Sequence, residues 1–73
     1  MRQWDYTGLR VTGKYMGEFD VQGLVESSRV AYGGEVKHTV VLDAPITVYG
    51  AIRERVILEM PYVVSVQHSR NSP

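Results

Sequence analysis

The chain has 73 residues, 44% of them hydrophobic, and sets 8 Lys and Arg against 8 Asp and Glu for a formal net charge of zero. That length allows one domain with a thin stability margin, because a domain this small buries only about 60% of the surface its unfolded chain exposes. The lack of cysteine excludes a disulfide framework and thiolate chemistry, and the neutral balance withholds the basic excess usual in proteins that neutralise phosphates.

Residues Met1 to Gly8 form a lead-in carrying Trp4 and Tyr6. Two aromatics so close together are expected to pack over one end of the fold. The lead-in has no apolar run of the signal-peptide kind, and nothing in the chain approaches the roughly 18 apolar residues of a membrane span. The expectation is a soluble cytoplasmic protein with no membrane partner.

From Leu9 to Met16 the chain alternates, with Leu9, Val11, Gly13 and Tyr15 on one face and Arg10, Thr12 and Lys14 on the other. This is the period of a half-buried strand. After a turn at Gly17-Glu18, Phe19 to Glu26 repeats it with Phe19, Val21, Gly23 and Val25 inward. Glycine on an inward face lets a strand bend sharply or lets another backbone approach, as a small barrel requires.

Ser27 to Tyr32 leads to Gly33-Gly34 and on to Glu35–Asp43. A Gly-Gly pair supplies the positive φ angles of a two-residue hairpin turn. That turn predicts Tyr32 opposite Glu35, Val30 opposite Lys37, Arg29 opposite His38 and Val25 opposite Leu42. Asp43-Ala44-Pro45 is expected as a second turn, into a strand from Ile46 to Tyr49. A short 3₁₀ turn is expected near residues 50–54. Arg55 to Met60 is again extended, Pro61 interrupts it, and Tyr62 to Val66 continues. Proline there points to an edge or a bulge. No segment keeps a helical period over three turns, so the class is all-β: a meander of five or six strands over residues 1–66, with a disordered tail over 67–73.

The run GLRVTGKYMGEFDVQGLVESSRV, followed by VVLDAPITVYG, a short turn and a last apolar strand, resembles the SH3-like small barrels. Tudor-type modules are the nearest of these. The matching positions are Gly8, Val11, Tyr15, Phe19, Gly23 and Val25, with Val41-Leu42-Asp43 at a strand end, and the resemblance covers residues 8 to 60. It implies a small closed barrel. Tudor modules that bind methylated side chains use aromatics from two adjacent loops. Here Tyr15 and Phe19 lie near one turn, no aromatic stands beside Asp43, and Tyr49 falls at the far end of the next strand, so the resemblance bears on fold rather than ligand.

Chemistry-bearing motifs are sparse. His38 and His68 lie thirty residues apart, no metalloprotease or other paired-histidine spacing occurs, and the acids are scattered along strands and turns. No catalytic residue, metal or cofactor is expected, and the chain is expected not to be an enzyme. For a protein partner, the candidates are Tyr15, Phe19, Arg29, Tyr32, Lys37 and His38, around the first turn and the central hairpin; Arg and Tyr are common interface anchors. The run from Val56 to Val66 is apolar on both faces, and a bare apolar edge strand invites pairing. Ile57, Tyr62 and Val64 are therefore candidates for a homo-oligomer interface. The alternative is a nucleic-acid-binding barrel using Arg10, Lys14, Arg29 and Lys37 for phosphates and tyrosines for stacking. The size also fits a stand-alone accessory protein of a phage or plasmid type that binds and blocks or adapts a host protein.

Overall fold

A computed structural model describes residues 4–67. Five strands, β1 (Arg10–Tyr15), β2 (Phe19–Val30), β3 (Val36–Val48), β4 (Ala51–Glu59) and β5 (Val63–Gln67), pair antiparallel in the order β4-β3-β2-β1-β5. The all-β expectation holds, with five strands. The sheet is not closed: β4 pairs with β3, β5 pairs with β1, and no ladder joins β4 to β5 among the described residues. Nor does any helix among the described residues have the length and apolar character to cross a membrane.

The core follows from alternation. Val11 on β1, Val21 and Val25 on β2, Val40, Leu42 and Val48 on β3, and Val56 and Leu58 on β4 are all buried. Each is aliphatic and most are β-branched, suited to a pleated surface. Gly13 and Gly23 lie on the same buried face. A Cβ on Gly13 would stand 2.5 Å from the Tyr62 carbonyl oxygen and 2.8 Å from Leu58 Cδ2, while one on Gly23 would collide with the Val41 carbonyl oxygen. These two glycines therefore allow the close backbone approach that wraps the sheet around so small a core.

Several local expectations are corrected. The segment from Phe19 to Val30 is one continuous strand. Asp43-Ala44-Pro45 is not a hairpin turn but an irregularity inside β3, where pairing to β4 jumps from Val41 to Ile46. No 3₁₀ turn forms near residues 50–54. Tyr49 and Gly50 both have positive φ, 50° and 83°, and Val48 pairs directly with Ala51. Such a two-residue turn of the I′ kind starts β4 at once. The 3₁₀ turns lie instead at Tyr32–Gly34 and Met60–Tyr62. Gln67, assigned to the tail, is the last residue of β5; the rest of the expected tail, 68–73, and residues 1–3 lie outside the described residues.

The central hairpin shows a register correction with consequences for the site. Its loop takes the five residues between Val30 and Val36, which pair with each other. The observed pairs Arg29 with Lys37 and Ser28 with His38 lie one residue away from the register of a two-residue turn, and Val25 with Val40 lies two away. A bulge between Val25 and Ser27 also switches the inward parity of β2. Ser28, rather than Ser27 or Arg29, consequently shares a face with His38.

Candidate functional site

His38 is fully buried, so it is not part of an exposed contact surface as expected. Its Nδ1 lies 2.7 Å from Ser28 Oγ, which also accepts a 3.0 Å hydrogen bond from the Tyr6 backbone N–H. The Tyr6 ring stacks on the imidazole, centroids 4.7 Å apart and 7° from parallel. The lead-in thus packs on the core as expected, with His38 as its seat. Burial pushes the His38 pKa below its usual value, opposed by the charge of Asp5. Its Nε2 is buried without a hydrogen-bond partner. A neutral imidazole tolerates this, whereas imidazolium would leave a charged N–H unpaired in the core.

The same register brings Arg29 and Lys37 together on the opposite, outer face. The cross-strand row there runs Arg29 on β2, Lys37 on β3 and Glu59 on β4. This row borders a groove of about 360 Å³. Its other walls are Tyr15 and Met16 from the end of β1, Ile57 from β4 and Tyr62 from the second 3₁₀ turn. Two sets of candidates kept apart in the sequence, Tyr15, Arg29 and Lys37 for a partner and Ile57 and Tyr62 for self-association, line one surface. Met16, Ile57 and Tyr62 are exposed by 54%, 43% and 41%, so the groove gathers large apolar side chains that are open to solvent.

Phe19, Tyr32 and Val64 do not line this groove. Phe19 sits between Tyr15, at a 6.5 Å centroid distance, and Tyr49, at 5.7 Å edge to face. Tyr49 is thus a neighbour of the first turn and not remote from it, because β3 continues through Asp43 and returns its end to Phe19. The Tyr49 hydroxyl donates to Glu18 Oε1 at 3.1 Å, which raises the phenol's pKa. The three rings pack on one another. Tyr32 stands fully exposed at the tip of the central hairpin. Val64 lines a separate groove of about 550 Å³ with Thr12, Lys14, Gln22 and Asp43.

The basic candidates on β1 are neutralised. Arg10 pairs with Asp43 through both carboxylate oxygens, and Gln22 Nε2 donates to Asp43 Oδ2 at 3.1 Å. These hydrogen bonds hold the Asp43 carboxyl below its ordinary pKa and raise that of Arg10. Lys14 Nζ lies 2.6 Å from Asp20. Arg55, in turn, pairs with Glu26 at 2.9 Å. Lys37 reaches Glu35 only at 4.0 Å, and among the described residues Arg29 makes no ion pair.

Comparison with protein-family models, with curated proteins and with solved structures finds no match. The site is read from its own geometry. Among the described residues no three of His, Asp and Glu gather as a metal cluster. What the groove offers is a pair of cations beside apolar and aromatic walls. Sequence reasoning found five of its residues but missed Met16 and Glu59. Met16 carries a signal only in hindsight: it follows β1 in the turn at a positive φ of 57°.

Proposed function

We propose that this protein is a non-enzymatic interaction module that docks a segment of another protein in the groove between the end of β1, the central hairpin and β4. The observation that carries this is the convergence of Met16, Ile57 and Tyr62, all exposed, on the groove bordered by Arg29 and Lys37. Exposed apolar side chains gathered on one surface, with polar groups at the rim, are the signature of a contact site. We read the architecture as SH3-like: the order β4-β3-β2-β1-β5, with a 3₁₀ turn joining the last two strands, supports that finer assignment. An accessory role toward a host protein fits the same module.

The test is selection from a phage-displayed random nonapeptide library against the folded protein, repeated against Met16→Ser/Tyr62→Ser. Peptides enriched on the wild type and not on the variant support the groove. No enrichment, or equal enrichment on both, rejects it.

Self-association is a second part of the reading, favoured by the two unpaired sheet edges. The apolar run from Val56 to Val66 is split by the Met60–Tyr62 turn: Val56 and Leu58 face the core, Val63 and Val66 pack against it, and Val64 on β5 is 68% exposed. An exposed edge is a template for a further strand, so we place the self-contact at β5 around Val64 and leave Ile57 and Tyr62 to the groove. Light scattering over a range of concentration on wild type and Val64→Asp tests it. An oligomeric wild type beside a folded monomeric variant is expected; two folded monomers would reject the contact. The alternative of nucleic-acid binding is weakened by the pairing of Arg10 and Lys14 with acids, which leaves no cationic stripe along a strand.

A further inference from the structure

The groove's charge is unusual for where it sits. Arg29 and Lys37 are directly opposite each other in the β2–β3 ladder, and like charges so placed destabilise a sheet. Elsewhere Arg10, Lys14 and Arg55 each have a carboxylate at short range, while Arg53, exposed on β4 and away from the groove, is without an ion pair among the described residues. The Lys37 side chain is 27% exposed, and the one carboxylate within its reach among the described residues is that of Glu35, at the 4.0 Å limit of an ion pair. Glu59 stands opposite Lys37 on β4, but the two form no ion pair. A local conflict of this kind, kept beside an apolar groove, is expected where a ligand supplies the missing counter-charge.

Resting on the docking role proposed above, we infer that the occupant is an acidic peptide segment: one or two Asp or Glu carboxylates that meet Arg29 and Lys37, next to a Leu, Ile, Met or Phe that enters between Met16, Ile57 and Tyr62. The Arg29 guanidinium can take a carboxylate through two parallel N–H donors. Lys37 supplies a second charge from the neighbouring strand, and the two tyrosines bracket the apolar side chain. A nucleic-acid strand fits less well. It needs cationic groups at successive phosphate positions and open ring faces for stacking, while the cations lining this groove are one cross-strand pair.

The experiment uses synthetic fluorescein-labelled nonapeptides with a central Leu or Phe, flanked by Asp and Glu, by Asn and Gln, or by Lys, together with labelled dT12. The sequences are based on the strongest peptides from the library selection, with their flanks replaced. Fluorescence anisotropy is read at low and moderate salt on the wild type, Arg29→Glu, Lys37→Glu and Met16→Ser. On the wild type, acidic flanks should bind at least about tenfold more tightly than amide flanks, the order of one charge-assisted hydrogen bond. Lys37→Glu and Arg29→Glu should reverse the preference toward Lys flanks, and Met16→Ser should weaken all peptides alike. Selected peptides that need Met16 yet bind equally with amide flanks would overturn the acidic inference and leave the docking role standing. Peptides that bind regardless of Met16 would overturn both. Tighter binding of dT12, lost on Arg29→Glu and falling steeply with salt, would replace the peptide with a nucleic acid.

Discussion

Gly23→Ala tests the packing argument at its tightest point. Gly23 faces the core in the middle of β2 and pairs with Leu42. A Cβ there would fall on the Val41 carbonyl oxygen, 2.8 Å from that carbonyl carbon and 2.9 Å from Leu42 Cα. All three obstacles are backbone of β3, so no rotamer change relieves them and the β2–β3 ladder must open. Overpacking usually costs about 1–3 kcal/mol, and a backbone obstacle belongs at the upper end, about 3 kcal/mol. Domains of this size hold roughly 4–10 kcal/mol in total, and each kcal/mol moves Tm by about 4–8 °C. Thermal and urea unfolding followed by circular dichroism should therefore show a Tm loss of about 12–24 °C or outright unfolding. Gly34→Ala is the control. Its φ is +84° and nothing lies within 4 Å of the added carbon, so it should lose only the left-handed penalty of about 1 kcal/mol. If Gly23→Ala is as stable as Gly34→Ala, β2 and β3 do not approach as described.

The remaining predictions concern the core and its titration. His38 has a lowered pKa in the folded state, so the unfolded chain binds more protons; stability should be full above about pH 6.5 and fall as pH drops from there toward the folded pKa. His38→Gln should flatten that slope between about pH 7 and pH 5, and an unchanged slope in urea titrations would show that His38 is not the buried titrating group. Leu58→Ala, at a fully buried site, should lose about 2–5 kcal/mol, whereas Tyr32→Ala at the exposed hairpin tip should stay within about 0.5 kcal/mol of wild type; equal losses would contradict the assignment of the core. Asp43→Asn should leave the fold intact yet free the Arg10 guanidinium, and a gain in affinity for dT12 on the variant would show that this ion pair masks a phosphate contact.

Much of the fold was legible because alternation is a strong signal in a chain with so few residues to spare. Val11, Val21 and Val25 occupy the inward face that periodicity assigns them. The failures share one cause, the local geometry of turns and bulges. A Gly-Gly pair permits several loops, and the five-residue loop that forms moves Arg29 away from His38 and onto Lys37. Tyr49 at positive φ is an uncommon turn residue, so the β3–β4 turn was not recognised in Tyr49-Gly50. Pro45 suggests a chain reversal, whereas β3 absorbs it within a bulge on the side away from β2. The site was legible as a list of residue types but not as a place. Tyr15, Arg29, Lys37, Ile57 and Tyr62 come from five separate elements, and only the bent sheet brings them to one groove. Their identity as contact residues follows from exposure and charge, which no single segment reveals.

The most direct test of the groove uses the methionine methyls as reporters. Met16 lines it, while Met60 lies on the other side of the Glu59 strand end, in a separate cleft with Gly34, Glu35, Val36 and Pro61. Methyl-¹³C methionine spectra, assigned with Met16→Leu and Met60→Leu, are recorded as the tightest library-selected peptide is added. If the groove is the contact surface, the Met16 methyl shifts or broadens in step with binding and the Met60 methyl stays in place. A Met60 response with Met16 unmoved, or binding that leaves both unchanged, would contradict the account.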